Sequence, residues 1–253
     1  MQVAVLASGS KGNSVFVEMD GVRLLVDAGI SARRIKKSLA ELAVEVDSLN
    51  AVFITHEHSD HVKGLATLCR QYHLPVYTRP DTLSCLLAKE ALPAECLHAI
   101  HEQLQLENLS VRTFGLSHDA ADPVGYRIDG SRQCTVATDL GFVTGEVQAA
   151  IEGSDVLVLE ANHDPDLLRR GSYPWPLKQR ILGNHGHLSN HDAAWALVHM
   201  QQRPAKVFLA HLSEENNRPE LAEATVRNIL DEQGLSPAEL GLTLTSQDAV
   251  VSL

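Results

Sequence analysis

The sequence has few cysteines and no long apolar run. Only four of its 253 residues are Cys, and no two of them form a C-x-x-C pair, which argues against a disulfide framework and favours reduced thiols. No segment approaches the ~18 consecutive apolar residues of a membrane span. The N-terminus lacks the basic segment and the long apolar segment of a signal peptide. These absences predict a cytoplasmic protein without a membrane partner.

Positive charge is also scarce. The chain carries 21 Lys and Arg residues against 32 Asp and Glu residues, which gives a formal net charge of −11 with His neutral. This charge argues against a protein that coats nucleic acid or an anionic membrane, although it leaves room for a local basic or metal-bearing cleft. Because 44% of the residues are hydrophobic and there is no low-complexity linker or short repeat, residues 1–253 are predicted to form a single domain.

Apolar periodicity and turn residues predict an α/β (α+β) chain in which strands outnumber helices. The predicted strands are residues 2–7, 13–18, 22–26, 51–55, 75–78, 110–116, 124–128, 134–138, 156–160, 206–210 and 249–253. A first helix capped by Ser31 is predicted from the spacing of Ile35, Leu39 and Leu42. The later predicted helices are residues 81–92, 144–151, 192–202 and 220–232.

Histidine is in surplus, with 13 copies. The segment H-x-H-x-D-H places His56, His58, Asp60 and His61 on a loop between a predicted strand and a helix for which Ser59 or Asp60 is the predicted N-cap. Histidine is the commonest metal ligand. A hydrolytic metal needs three or more protein ligands and an open position for water, so four side chains cannot satisfy two ions and further ligands are expected elsewhere.

Three distant residues qualify as these ligands. His118, Asp139 and His211 each follow a predicted strand, as His56 does. Side chains at the ends of several strands can meet at one rim of a sheet, and a carboxylate at Asp139 could bridge two cations and lower their repulsion. The sequence therefore predicts a metal site with two ions at such a rim.

The ligand order H-x-H-x-D-H, His, Asp, His resembles that of the metallo-β-lactamase superfamily over nearly the whole chain. The resemblance implies a four-layer αβ/βα sandwich with two mixed β-sheets, and two divalent ions that could be Zn, Mn or Fe. It also implies that His56, His58 and His118 hold the first ion. Asp60, His61 and His211 would hold the second, Asp139 would bridge both, and Asp27 would orient a loop ligand.

Two further segments favour phosphodiester chemistry. Val158 to Asn162 and Gly186 to Ser189 resemble the His-Glu-Ala-Thr and Gly-His-Ser-Thr elements of ribonuclease Z. That resemblance implies that His187 protonates the leaving oxygen, that Glu160 holds His187, and that a hydroxide bridging the metals attacks phosphorus. His187, Glu160 and Asp60 are therefore the predicted catalytic residues.

Longer segments of the sequence, such as Ala7 to Ser14 and His211 to Asn217, are similar to those of a bacterial group of YycJ (WalJ)-like single-domain nucleases. This similarity implies a metal-dependent 5′-exonuclease, with DNA favoured over RNA as the nucleic-acid partner. Ser189 and Asp192 also form an S-x-x-D helix cap, which would offer backbone N–H groups to a phosphate. The predicted substrate-binding residues are Ser10, Lys11, Asn13, Asn162, Lys178, Arg180, Ser189 and Asn190.

Several other functions are weighed against this one. The commonest β-lactamases have Cys where Asp139 stands, so antibiotic hydrolysis is disfavoured, whereas glyoxalase II-like thioesterases share all seven ligands. A chain of 253 residues cannot hold the inserted domain of ribonuclease J, and twenty residues between His118 and Asp139 leave no room for the tRNA-gripping arm of ribonuclease Z. The chief alternative is a hydrolase of a cyclic phosphodiester or a thioester, and a metal-stabilised interaction protein is a third. Monomer and homodimer both stay open.

Overall fold

The computed structural model describes residues 1–89, 92–235 and 240–253. Within them, two seven-stranded sheets face each other. The first has the order β14-β1-β2-β3-β4-β5-β6 and the second the order β13-β12-β11-β10-β9-β8-β7. The strands of the first sheet are β1 (Gln2–Ala7), β2 (Ser14–Met19), β3 (Val22–Val26), β4 (Ala51–Phe53), β5 (Val76–Thr78), β6 (Leu97–Ala99) and β14 (Val251–Ser252). Those of the second are β7 (Gln103–Leu106), β8 (Leu109–Gly115), β9 (Val124–Asp129), β10 (Gln133–Ala137), β11 (Val156–Glu160), β12 (Lys206–Ala210) and β13 (Gly241–Leu244).

Both sheets are mixed. β14, β1, β2 and β3 pair antiparallel, and β3 to β6 pair parallel. In the second sheet β7 to β10 pair antiparallel and β10 to β13 pair parallel. The described helices are α1 (Ala32–Glu41), α2 (Ser59–Val62), α3 (Leu65–Tyr72), α4 (Pro80–Lys89), α5 (Gly145–Ile151), α6 (Pro165–Arg170), α7 (Trp175–Ile181), α8 (Asn190–Val198) and α9 (Pro219–Glu232).

Strands with two buried faces produce the layering. In β1, Val3 and Val5 pack between the two sheets, whereas Ala4 and Leu6 pack beneath the helices on the outer face of the first sheet. β12 does the same in the second sheet, because Phe208 points inward and its neighbours pack against α8 and α9. Side chains alternate between the two faces of a strand, so a continuous apolar run fills two cores. The four-layer αβ/βα sandwich expected from the sequence is confirmed.

The strand predictions hold best in the centre of the sheets. Residues 156–160 and 206–210 coincide with β11 and β12, and Ser31 caps α1 by accepting the Arg34 N–H. The sequence prediction missed β6, β7 and β13, as well as α6 and α7, which lie in a segment rich in Pro and Gly. Pro165 and Pro176 occupy the first turns of those two helices, where the missing N–H carries no penalty.

Helix ends differ from prediction in two further places. α8 begins at Asn190 and ends at Val198, with Ser189 as the cap that accepts the Asp192 N–H, so the S-x-x-D cap is confirmed but the extension to residue 202 is wrong. The predicted cap at Ser59 or Asp60 is wrong, because α2 begins at Ser59 with His58 as its N-cap. The end of the predicted helix 81–92 runs past Lys89 into residues 90 and 91, outside the described residues.

The strand ends of both sheets converge on one rim. Asp27 follows β3, His56 follows β4 and Asp139 follows β10, while Glu160 ends β11 and His211 follows β12. These strands belong to the parallel parts of the sheets, where carboxyl ends share an edge. Among the residues that the structure describes, no helix is both long enough and apolar enough to cross a membrane.

Close backbone packing holds the first two loops of this rim together. The Asn13 N–H donates to the Asp60 carbonyl at 2.8 Å, and the Ala28 N–H donates to the His61 carbonyl at 2.8 Å. A Cβ atom added to Gly29 would lie 1.6 Å from the Asp60 carbonyl oxygen. Glycine is therefore required where the loop after β3 crosses the H-x-H-x-D-H loop.

We predict that Gly29→Ala lowers the free energy of unfolding by about 1–3 kcal/mol, because its methyl group forces the Asp60 backbone outward. Gly145→Ala is the matched control, since a Cβ atom there meets nothing within 4 Å. Urea unfolding followed by circular dichroism measures both. Equal urea midpoints for the two variants would show that the backbone at Gly29 does not pack tightly against the Asp60 carbonyl.

Candidate metal centre

Three histidines form the first group of candidate ligands. Nitrogen atoms of His56, His58 and His118 lie within 4.8 Å of one another, and His56 Nε2 is 3.1 Å from His58 Nδ1. His118 Nδ1–H donates to the Gly186 carbonyl at 3.1 Å, which leaves Nε2 as the free ligand atom. The His118 ring is thus fixed with Nε2 available to a cation, and the three nitrogen atoms are close enough together to bind one metal ion.

A second group lies beside the first. Asp60, His61 and His211 also offer ligand atoms within 4.8 Å of one another, and Asp139 forms a further group with His56 and His61. Asp139 Oδ2 is 3.3 Å from His61 Nε2. The structure therefore brings together all seven predicted ligands, with Asp139 placed between one member of each group.

Two buried atoms of this centre make no hydrogen bond within the described residues. They are Asp139 Oδ2 and His211 Nε2. Leaving a buried polar atom unsatisfied costs about 1–3 kcal/mol, and a divalent cation would satisfy both atoms at once. The residues present therefore fit the metal ions that the sequence predicts.

The pKa values of the histidines follow their surroundings. Burial and the neighbouring imidazoles hold the pKa of His56 well below its usual range. Burial alone would also lower the pKa of His211, but Asp139 and Glu160 outweigh it and raise the value to about 9. The pKa of His61 is raised well above its usual range in the same way, by Asp139 and Asp27. The buried carboxylates thus stabilise positive charge beside them. In the structure as described, protonation of His61 and His211 supplies that charge, and a bound cation would supply it instead.

Glu160 links His187 to this centre. Its side chain is completely buried, and Oε2 accepts the N–H groups of Leu140 and Leu188 at 2.9 and 3.0 Å. Oε1 accepts Nδ1–H of His187 at 2.9 Å and Nδ1–H of His211 at 2.7 Å. Burial would raise the pKa of Glu160, but the two imidazoles outweigh it and hold it below its usual range. One carboxylate therefore orients both a candidate ligand and the predicted acid.

Asp27 orients a loop ligand from the other sheet. It accepts the Thr55 N–H at 2.9 Å, the Thr55 hydroxyl at 2.9 Å and His61 Nδ1–H at 2.8 Å. Because the Thr55 hydroxyl donates its hydrogen bond to Asp27, its oxygen is left to accept Nδ1–H of His56 at 3.0 Å. Asp27 thus orients the His61 ring directly and the His56 ring through Thr55. The sequence reasoning missed Thr55. Its position directly before His56 was the available signal.

Three of the seven described non-glycine residues with positive φ lie at this rim. Asp27, Asp139 and His211 adopt positive φ angles of 65°, 64° and 56°, a left-handed conformation that is unfavourable for residues other than Gly and persists only where surrounding contacts impose it. Here the Asp27 N–H donates to the Phe53 carbonyl at 2.8 Å, and the His211 N–H donates to Ser8 Oγ at 2.7 Å. These contacts turn each side chain into the site directly after its strand ends.

A buried amide network holds the loops behind His211. Asn162 Nδ2 donates to the His211 carbonyl at 2.7 Å. The side chains of Asn190 and Asn217 bond each other reciprocally at 2.8 and 2.9 Å, and Asn217 Nδ2 also donates to the carbonyls of Ala161 and Asn162. The predicted substrate-binding groups of Asn162 and Asn190 are therefore engaged in positioning loops. Asn217, which the sequence reasoning did not select, has the same role.

Of the other predicted substrate contacts, some line the cavity and the rest form hydrogen bonds or ion pairs within the protein. Ser10 and Arg180 line the cavity of about 240 Å³ in front of the candidate ligands, and Arg180 forms an ion pair with Asp119 at 2.6 Å. Lys178 does not reach a substrate, because its side chain is buried and its ammonium donates to the Arg169 and Gly171 carbonyls. Three more predicted contacts are engaged elsewhere: Lys11 with Glu214, Asn13 with Gly9, and Ser189 with Asp192.

Comparisons with known proteins agree with this architecture. A family model for the β-lactamase superfamily domain matches residues 22–212. The chain is 37% identical over 244 residues to exodeoxyribonuclease YycJ of Bacillus anthracis, covering 94% of this chain and 92% of that protein. It is 39% identical over 246 residues to exodeoxyribonuclease WalJ of Streptococcus pneumoniae serotype 2 (strain D39 / NCTC 7466), covering 94% and 90%. The crystal structure of the metallo-β-lactamase fold protein YhfI from Bacillus subtilis superposes with a TM-score of 0.74 at 16% identity, covering 100% and 99%.

The chain therefore belongs to the β-lactamase superfamily domain family and has the metallo-β-lactamase fold. Within that family it is a metal-dependent hydrolase, and YycJ and WalJ are its homologues over nearly the full length of each chain. The family resemblance expected from the ligand order is confirmed.

We predict that Asp27→Ala lowers metal affinity by about 10- to 100-fold, because His61 loses the carboxylate that fixes its ring. Competition with a chromophoric chelator measures the affinity, and circular dichroism establishes that the variant is folded. Asp47→Ala, at an exposed position on the same half of the chain, is the control and is expected to leave affinity unchanged. An unaltered affinity in folded Asp27→Ala protein would contradict this role.

Proposed function

We propose that this protein is a dinuclear metal-dependent phosphodiesterase that acts as a 5′-exonuclease on DNA. The observation that carries the proposal is His187, which Glu160 holds beside two adjoining groups of candidate ligands. The curated relatives of nearly equal length, YycJ and WalJ, are both named exodeoxyribonucleases, which supports DNA as the substrate. Zn, Mn and Fe all suit a site of imidazoles and bridging carboxylate.

His187 is placed to serve as the general acid. Its Nδ1–H is bonded to Glu160, so Nε2 is the atom that carries and transfers the proton. The side chain is 22% exposed and lines the cavity that contains the candidate ligands. The carboxylate of Glu160 stabilises the protonated ring before transfer, and a positioned acid of this kind contributes about 10²- to 10⁴-fold in rate.

The ligand set supplies the charge that a phosphate needs. Bound divalent ions would offset the negative charge that develops on the phosphate oxygens. Two such ions would add four positive charges, which offset the four negative charges of Asp27, Asp60, Asp139 and Glu160. With the ions bound, this cleft therefore would not repel a phosphodiester in the way that the net charge of −11 suggests for the whole chain.

We also place the reaction in a reducing compartment. The four described cysteines, Cys69, Cys85, Cys96 and Cys134, form no disulfide in the structure. Burial raises the pKa of Cys134 to about 12, which keeps that thiol protonated and unreactive. This chemistry supports the cytoplasm, where thiols stay reduced and DNA is present in a bacterial cell.

A hydrolase of small substrates is the second candidate, and the size of the cavity favours it. A volume of about 240 Å³ is below the usual range of about 300–1,000 Å³ for a ligand pocket. A cyclic phosphodiester or the reacting end of a thioester would fill such a cavity, whereas a DNA strand would place one nucleotide in it and the rest outside.

We expect purified protein with Mn²⁺ or Zn²⁺ to release nucleotides from the 5′ end of DNA, and to release none after treatment with EDTA. Parallel reactions on 5′-labelled and 3′-labelled strands, single and duplex, give the polarity, because a 5′-exonuclease converts the 5′ label directly into the shortest product. Turnover of a small diester or acyl-glutathione, without nucleotide release under either metal, would favour the second candidate and reject the nuclease.

We predict that His187→Ala lowers kcat by about 10²- to 10⁴-fold, while metal content stays near two ions per chain. The substitution removes the proton donor but none of the seven candidate ligands. Plasma emission spectrometry measures the metal, and release of labelled nucleotide measures the rate. His101→Ala, which removes an exposed histidine away from the cavity lining, is the control. Full activity in His187→Ala protein would exclude His187 from the mechanism.

A further inference from the structure

The cavity in front of the candidate ligands has an apolar part. Among the described residues that line it, the large apolar side chains are Tyr173, Leu177 and Ile181, and the remaining lining is mainly His, Asp, Asn, Arg and Ser. Leu177 and Ile181 are four positions apart on one face of α7, and Tyr173 lies just before the Pro174 N-cap of that helix. We call these three residues the apolar stripe. All three are half-buried, so part of each side chain faces the cavity.

Two contacts hold the segment that carries the apolar stripe. The buried ammonium of Lys178 donates to the Arg169 and Gly171 carbonyls at 2.9 and 2.7 Å, which ties α7 to the end of α6. Arg180 pairs with Asp119, the residue next to His118, which ties α7 to a loop that carries a candidate ligand.

The apolar stripe also ends beside the predicted acid. The His187 N–H donates to the Ile181 carbonyl at 3.0 Å, and a Cβ atom on Gly186 would lie 2.2 Å from the same carbonyl oxygen. The position of the stripe is therefore coupled to the position of His187. A group that contacts Ile181 therefore lies close to His187.

A cavity with one charged part and one apolar part matches the chemistry of a nucleotide. The phosphate suits the ligand groups and Arg180, whereas the flat face of a base suits a tyrosine ring with aliphatic neighbours. Every base has such a face, so contacts of this type tolerate any sequence. A volume of about 240 Å³ leaves room for no more than one nucleotide.

On the basis of the proposed function, we propose that the apolar stripe binds the base of the terminal nucleotide whose phosphodiester is cleaved. Tyr173 stacks on this base, and Leu177 and Ile181 extend the surface. The enzyme then takes one unpaired nucleotide into the cavity in each cycle. Tyr173 contacts the substrate in this scheme, and the Lys178 ammonium is a positioning group.

The test compares a normal 5′-terminal nucleotide with an abasic one in otherwise identical single-stranded DNA. Loss of stacking on one base corresponds to about a tenfold change in kcat/KM. We expect the unmodified protein to cleave the abasic end about tenfold less efficiently. Tyr173→Ala should lose about tenfold on the normal end and nothing further on the abasic end, because both changes remove the same contact. Tyr173→Phe should retain the preference for a base.

Trp175→Ala, at the first residue of α7, is the matched control. Trp175 lies two positions from Leu177, on a different face of α7, is 59% exposed and does not line the cavity. Its loss should leave both rates unchanged. An equal loss by Tyr173→Ala on both substrates, or equal cleavage of both ends by the unmodified protein, would overturn the inference while leaving the nuclease intact. An unmodified protein that cleaves neither substrate would overturn the proposed function as well.

Discussion

The buried carboxylate of Glu160 is the constraint on which the centre depends. An ionised group without exposure to solvent is very unfavourable unless each of its oxygens is satisfied. Glu160 meets this requirement with two backbone N–H groups and two imidazoles. Those donors come from the loops after β10 and β12 and from the loop before α8. Because a single side chain fixes three loops, its loss would disturb a candidate ligand and the predicted acid together.

The first sheet uses the same principle with Asp27. This buried carboxylate satisfies its oxygens with Thr55 and His61 and so fixes the H-x-H-x-D-H loop. Each sheet thus supplies one buried carboxylate that orients candidate ligands through hydrogen bonds, Asp27 from the first sheet and Glu160 from the second. Hydrogen bonds that set the tautomer and direction of a metal-binding histidine tune both affinity and geometry. The metal centre is therefore a product of the contact between two sheets rather than of either sheet alone.

Electrostatics in this protein are local rather than global. The chain as a whole is acidic, but the cleft concentrates imidazoles, two of which have raised pKa values because carboxylates surround them. Charges on the outer surface are screened by salt within about 8–10 Å, whereas buried charges act on one another with little screening. The chemistry of the site thus depends on a small set of buried groups, and the net charge governs the encounter with other macromolecules.

The candidate ligands were accessible from the sequence because their positions are local features. H-x-H-x-D-H is contiguous, His118 and Asp139 each follow a predicted strand, and His211 stands where an apolar run ends. A strand that is buried on both faces must be apolar throughout, so its end is marked by the first polar residue. The inner strands β11 and β12 were predicted at their observed bounds for the same reason. Short helices that begin with Pro, such as α6 and α7, lack this pattern and were missed.

The remaining features were decided by tertiary structure. The residues around Lys178 do not indicate that its ammonium is buried against two carbonyls. A basic segment of the same sequence could direct its Lys side chain toward a phosphate or toward the protein. The amide network of Asn162, Asn190 and Asn217 likewise joins residues up to 55 positions apart. By itself the sequence determined which groups are available for metal chemistry. Only the tertiary structure decided which polar groups face the cavity and which form hydrogen bonds that position its loops. This division depends on how buried donors and acceptors from distant loops pair with one another.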